Sequence, residues 1–288
     1  MIYSQYQYGL EVEQQDAKIE GKLNLNELGE NVFIGTNAGM SNGYSNVIGS
    51  STEGFANVYI GFDSGKNESS SQRNTYLGYK TGIYGSSSVG NTFIGSNTGV
   101  GGNSNTFIGS SAGAGALQIT NGSDNVFVGL CSGCSNTSGN YNTFLGKSSG
   151  SNNTTGHSNT FIGHRSGQNN LSGSGNVFIG ERAGFSEIGS FQLYIENSSS
   201  TTPLIYGEFD NDKAGINWDS SISLPATLSV NGTANVSDTL TLQTIMQLTP
   251  LDASTITMNA CTSGEIFYGD DDEFYVCKAG AWKQITTN

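Results

Sequence analysis

The sequence predicts an all-β chain built mainly as a β-solenoid of about ten short rungs. Three observations carry this. The phrase Asn-Thr/Val-Phe-Ile/Leu/Val-Gly begins at Asn125, Asn142, Asn159 and Asn176, with 17 residues between starts. A Gly closes each phrase, and a second Gly follows four residues later, as Gly146 and Gly150 do. An aromatic residue always stands before an aliphatic one, as in Phe161-Ile162. A fixed period of this kind marks a repeat architecture in which each unit stacks on its neighbours.

The phrase runs in both directions from this stretch. Earlier copies begin at Asn31, Asn57, Asn74, Asn91 and Asn105, a worn copy stands at Asn46, and a last one ends at Leu193-Tyr194-Ile195, with Gln192 in the Asn slot. Spacings of 14 before Asn105 and 20 before Asn125 change the linker and leave the phrase intact. The extra residues are therefore expected in turns. The glycines mark corners, where a positive φ or a close backbone approach is needed. The aromatic and aliphatic residues between them favour strand.

Adjacent strand residues point to opposite faces. The aromatic slot (Phe127, Phe144, Phe161, Phe178) and the aliphatic slot (Ile162, Ile179) both read as rung core, so one face lines the solenoid and the other needs a partner. A single rung buries too little apolar surface to offset the ordering of its own backbone. A second copy of the chain is the expected partner. The alternative is a monomeric solenoid with an aromatic stripe on its surface.

Composition suits an extended object. Of 288 residues 41 are Gly and 3 are Pro, 12% are charged and 10% aromatic, and the net charge is −13. Long apolar runs are absent, so no membrane insertion is expected. The acidic balance argues against a nucleic-acid partner. No nucleotide-binding, zinc or triad pattern stands out, and no cofactor or metal is expected.

Residues 1–30 are polar and acidic with scattered Tyr, and read as a segment that caps the solenoid or attaches it to a larger assembly. They lack a charged segment followed by an apolar one, so no secretory signal is expected. Residues 31–191 are the repeat shaft. Within it, Cys131-Ser-Gly-Cys134 has the CxxC form of redox and metal sites, yet both cysteines fall in linker slots of an ordinary rung. His157 and His164 could approach copies of themselves on a symmetry axis, Asn121, Asn136 and Asn153 begin chance glycosylation sequons, and the Thr slots are too often Val for an ice-binding face. A glycan-cleaving site needs paired carboxylates. Glu53, Asp63, Glu68, Asp124 and Glu181 are scattered through turn slots instead.

Residues 192–248 read as a β-rich connector with turns at 198–202 and 210–212, where Asp210-Asn211-Asp212 resembles half a calcium loop and reads better as a solvated turn. A hairpin is expected around Asn231-Gly232, and the leucines at 240, 242 and 248 hint at a short helix. Residues 249–288 read as three strands, the first two flanking the Asp270-Asp271-Asp272 turn. Cys261 and Cys277 would come close enough there to bridge, or remain a free buried pair. Phe267, Tyr268, Phe274, Tyr275 and Trp282 form its core or an exposed receptor-binding surface, with alternation suggesting some of each.

The rungs NTFIGSNTG, NTFIGSSAG, NTFLGKSSG and NVFIGERAG resemble the repeats of trimeric phage tail fibres and related bacterial fibre proteins. They are similar to the head repeats of trimeric autotransporter adhesins. TTPLIYGEFDNDKAGINW with TLSVNGT looks like the segment that follows such repeats, and residues 249–288 resemble the tip modules that close such fibres. The resemblance implies an elongated left-handed β-roll, homotrimeric, carried on a virion or extracellular particle. Its N-terminal segment would join a baseplate or other tail or capsid protein, and its tip would touch a host glycan or protein. Two departures qualify it: no signal or membrane anchor is recognised, as an autotransporter would need, and no self-cleaving chaperone domain. A bacterial surface adhesin or extracellular filament subunit is the alternative implied.

Overall fold

The computed structural model describes residues 31–41, 54–85, 87–114, 122–224 and 228–230, together with strand segments at 266–268, 274–278 and 281–284. Every regular element among them is β. The phrases become nine three-residue strands: β1 (Val32–Ile34), β2 (Val58–Ile60), β3 (Thr75–Leu77), β4 (Thr92–Ile94), β5 (Thr106–Ile108), β6 (Val126–Val128), β7 (Thr143–Leu145), β8 (Thr160–Ile162) and β9 (Val177–Ile179). They pair in parallel, in chain order, each with the next. Like residues sit side by side, as in Phe144↔Phe161. The short and long spacings do not shift this register, since Thr92 pairs with Thr106 and Thr106 with Val126. The expected solenoid of about ten rungs is present, with the length variation confined to turns. β1 pairs directly with β2, and the worn copy at Asn46 lies outside the described residues.

The sheet then changes direction without ending. β10 (Gln192–Ile195) continues the parallel stack on β9. β11 (Ile205–Glu208) and β12 (Lys213–Ile216) are antiparallel, and β13 (Leu228–Val230) is parallel to β12. The expected turn at 210–212 joins β11 to β12 and is exposed. The chain divides into two compact units, 1–233 and 234–288. In the second, β14 (Ile266–Tyr268), β15 (Phe274–Lys278) and β16 (Ala281–Gln284) form an antiparallel sheet of three strands, as the alternation around Asp270–Asp272 predicts. The expected hairpin at Asn231-Gly232, the hinted helix and residues 1–30 lie outside the described residues.

The core of the stack is one column of rings. From Tyr59 to Phe178 every aromatic of the phrase is fully buried, and successive ring centroids lie 4.7–4.9 Å apart with planes within 12° of parallel. That step is the distance between hydrogen-bonded strands. It exceeds the optimal carbon contact of about 3.5–4.0 Å, so the rings stack offset, the arrangement their quadrupoles favour. Past Phe178 the stacking gives way to edge contacts with Tyr194 and Tyr206, where the sheet turns antiparallel.

The two glycines of each rung make room for this column. Gly150 has φ +54, and a Cβ there would lie 2.5 Å from the ring of Phe144 in its own rung. Gly146 has φ +134, and a Cβ there would lie 2.5 Å from the carbonyl oxygen of Gly163 in the next rung. Both a positive φ and a steric wall hold each position to glycine. Two further corners are left-handed without glycine. One is two residues before the second Gly (Ser148, φ 56; Arg165, φ 58), the other just before the Asn (Tyr141, φ 58; Ser158, φ 57).

A buried asparagine ladder runs beside the rings. Asn142 Oδ1 accepts from the backbone N–H of Asn159 (3.0 Å) and from its Nδ2 (3.1 Å), while Asn142 Nδ2 donates to the Gly156 carbonyl (2.8 Å). The backbone N–H donation onto the preceding Asn repeats from Asn57 to Asn176 and ends on Gln192, which fills the Asn slot as expected. On the other side of the rings, Ser132, Ser149 and Ser166 donate to the carbonyls of Phe144, Phe161 and Phe178 in the next rung. The small residue before the second Gly is thus a hydrogen-bonding link as well as a space-saver.

The aliphatic slot takes the other face, as the alternation requires: Ile162 and Ile179, read as rung core, are each 36% exposed in the single chain, while Phe161 and Phe178 are fully buried. A three-residue strand has one inward position, and the ring takes it. The two flanking residues must then point outward. The aromatic surface stripe of the monomeric alternative is excluded.

This accounting makes a prediction. Asn142→Leu leaves the Asn159 N–H and the Gly156 carbonyl without their partner, at about 1–3 kcal/mol each. Its urea midpoint should fall by an amount worth about 2–6 kcal/mol with an unchanged m-value. Asn152→Ala, which loses one half-buried bond to Asn169 (3.0 Å), should cost less than about 1 kcal/mol. Equal losses would show that the ladder is incidental.

Candidate functional site

Two features stand apart from the generic rung: an outward apolar strip and a buried carboxylate cluster. The strip follows from the strand geometry. Outward from β1 to β9 point two columns, Val32, Val58, Thr75, Thr92, Thr106, Val126, Thr143, Thr160 and Val177 in one, and the aliphatic slot from Ile34 to Ile179 in the other. Neither column contains a charged residue. Ile34, Leu77, Ile108, Val126, Ile162 and Ile179 count among the exposed large apolar residues of the chain.

The cluster follows from a substitution within the ring column. Where the phrase carries Tyr in place of Phe, its hydroxyl needs a partner inside the coil. Tyr76 donates to Glu68 Oε1 (3.2 Å), and Tyr194 donates to Glu187 Oε2 (2.8 Å). Glu68 and Glu187 occupy the same slot, the twelfth residue of their rungs, where Asn136, Asn153 and Asn170 stand in Phe rungs. Glu68 is fully buried and also accepts from Ser71 Oγ and, more distantly, from Ser88 Oγ (3.5 Å). Gly85, the corresponding residue of the next rung, lies directly against the carboxylate. Burial pushes the Glu68 carboxyl up to about 7, against the pull of its hydroxyl donors. The Tyr76 phenol is raised well above its ordinary value, first by burial and then by the Glu68 charge. Sequence reasoning placed Glu68 in a turn slot among scattered carboxylates. The Tyr at positions 59 and 76 was the available signal that a polar group had to lie inside.

The remaining candidates disperse. Cys131 and Cys134 form a disulfide across one corner of their rung, the Cys131 side on a left-handed residue (φ 53). The sequence shows this pair as a CxxC in linker slots and leads to the expectation of a bridge at Cys261 and Cys277 instead. Cys261 lies outside the described residues, and Cys277 pairs with Trp282 across β15 and β16. His164 Nδ1 lies 3.4 Å from Glu181 Oε1 at the surface. No group of metal-ligating residues occurs among the described residues. Asp63 is held by Asn37 and Lys66. In the second unit, Phe267 pairs with Tyr275 and Tyr268 with Phe274.

Comparison of the chain with protein-family models, with curated proteins and with solved structures finds no match in any of the three.

The raised Glu68 pKa fixes a pH dependence. The folded value of about 7 lies above the ordinary 4.5, so the folded state binds the proton more tightly than the unfolded chain. The stability Glu68 allows is fully present below about pH 4.5 and is lost as pH rises to about 7, a total of about 3 kcal/mol. Urea midpoints measured at pH 5 and pH 8 should therefore drop in the native chain and drop much less in Glu68→Gln. Parallel pH profiles for the two would remove the buried carboxylate as the cause.

Proposed function

We propose that the chain is a non-enzymatic structural and receptor-binding subunit of an elongated homotrimeric fibre. The fibre is the tail fibre of a phage or of a phage-tail-like contractile injection system. It stands on the virion or extracellular particle and attaches it to a target cell surface. The observation that carries this reading is the one-dimensional stack. Each rung hydrogen-bonds its buried Asn to the rungs before and after it, so length grows by adding rungs and needs no large globular core. Nine steps of about 4.8 Å from β1 to β10 give a shaft of roughly 43 Å.

Residues 1–30 join the particle in this reading, and residues 249–288 form the tip that touches a glycan or protein, with Phe267, Tyr268, Phe274, Tyr275 and Trp282 as its aromatic contacts. Three tips on one fibre give avidity from individually weak contacts. The resemblance of the rungs to fibre repeats supports the assignment. No catalytic role is assigned: Glu68 and Glu187 serve the tyrosines of the rungs.

A trimeric bacterial surface adhesin or extracellular filament subunit is the second reading. The Cys131–Cys134 disulfide suits it equally, because such bonds persist in oxidising surroundings. A secretion signal encoded in the same reading frame would favour it.

Light scattering on the purified chain should give about 90 kDa, three times the 30.2 kDa of one chain, and electron micrographs of that sample should show thin rods. A mass of one chain would contradict the trimeric fibre.

A further inference from the structure

We infer that the corner of the shaft carrying Lys147, Arg165 and Arg182 is a binding site for an acidic polysaccharide. The inference goes beyond the fibre reading, which puts its contacts at the tip, and it holds for one chain or three. Residues 31–191 contain six Lys and Arg residues. The three in the early rungs are engaged: Lys66 with Asp63 (3.2 Å), Arg73 over the Phe55 ring (5.7 Å) and Lys80 over the Tyr79 ring (5.2 Å). The three in the late rungs fall together on one corner. No carboxylate pairs with any of them among the described residues.

The stacking of the rungs brings these cations together. Counted from the Asn, Lys147 is the sixth residue of its rung, and Arg165 and Arg182 are the seventh of theirs. The backbone N–H of Arg165 donates to the Lys147 carbonyl (2.9 Å), and that of Arg182 to the His164 carbonyl (2.8 Å). Three cations therefore follow one another at the strand step, over about 10 Å. Lys147 and Arg182 are exposed and Arg165 is half-buried. The one carboxylate on the corner, Glu181, lies against His164 Nδ1 (3.4 Å). A chain of net charge −13 thus gathers unpaired positive charge on one narrow surface, where like charges repel and an anionic ligand relieves them.

The surroundings select the ligand. The cations are strung along a line, which matches a polymer with repeated charges better than a single small anion. The same turns continue to Asn152 and Asn169, whose amides are joined at 3.0 Å and suit the hydroxyls of a sugar. A nucleic acid would need a longer basic track and open ring faces for its bases. Phe185, the aromatic nearest this corner in sequence, has Arg182 over its ring (6.0 Å). A folded protein partner would need a central apolar anchor, and the corner is polar.

The test uses the full chain and calorimetry at low salt. The probes are polygalacturonate and dextran sulfate as acidic polysaccharides, neutral dextran, and single-stranded DNA. The native chain should bind at least one acidic polysaccharide, more weakly as salt rises, and should not bind dextran. The variant Lys147→Ser, Arg165→Asn, Arg182→Asn takes the residues that other rungs carry in these slots, as Ser96 and Asn97 do, so the corner is kept. Its affinity should fall about tenfold or more. The variant Lys66→Ser, Arg73→Ser, Lys80→Asn removes the same charge from the early rungs and should bind as the native chain does. Should the first variant lose its strand signal in circular dichroism, Arg165→Asn alone decides by the same comparison. No binding of either acidic polysaccharide, or equal losses in the two triple variants, overturns the site. Tighter binding of DNA than of both polysaccharides overturns the ligand class. None of these results depends on the mass of the native particle, so the fibre reading is judged separately.

Discussion

A rung of 17 residues is too short to hide its own polar groups, and the Asn ladder is what makes the coil possible. Each buried Asn closes the loop of its rung through Nδ2 and caps the backbone N–H of the following rung through Oδ1, as Asn142 does with Gly156 and Asn159. No rung is complete by itself. Register, the stacking of rings and the identical approach of one Gly to the next all follow from aligning these asparagines. A slip of one residue would turn every ring outward. Spacings of 14, 17 and 20 are tolerated because the ladder fixes only the first residue of each rung. The loop that returns to it is free to vary.

The interior also dictates how the rungs vary. Tyr76 and Tyr194 find acceptors within the coil in Glu68 and Glu187, whereas the buried Tyr59 hydroxyl makes no such bond. Glu68 is sealed among hydroxyls and burial raises its carboxyl to about 7; Glu187 lies near the end of the parallel stack, where the sheet begins to reverse. Left-handed residues at two corners per rung add further strain, of about 1–3 kcal/mol for each one that is not glycine. That strain persists because the corner is determined from both sides, by the ring it encloses and by the rung it rests on.

Much of this fold was legible in the sequence, and the exceptions have physical reasons. The phrase located all nine rung strands, the corner glycines and Gln192 as the last Asn equivalent, because those positions are each held to one residue type by contact with a neighbouring copy. The left-handed corners at Ser148 or Tyr141 were not legible, since the residue type at those corners varies from rung to rung. Alternation alone put the aromatic and aliphatic slots on opposite faces, and the structure adds which is inward: the ring, with Ile162 and Ile179 on the outer face of the chain. The buried Glu68 and the Cys131–Cys134 bridge were hidden by the assumption that turn residues are solvated. The surface strip was legible as a list of residues but not as a surface, because it needs the register to line up its columns.

The account rests on the ladder of asparagine side chains, and the exchange of their amide protons tests it most directly. Proton exchange should be followed by NMR for the Nδ2 groups of Asn125, Asn142 and Asn159, each of which donates inside the coil to the carbonyl three residues before the next Asn. The account predicts exchange slowed to the rate of the backbone amides of β6–β8, with both sets released together as the stack is destabilised by urea. Side-chain exchange at the rate of a free amide, with the strand amides still protected, would show that the rungs hold together without the ladder and would contradict the account.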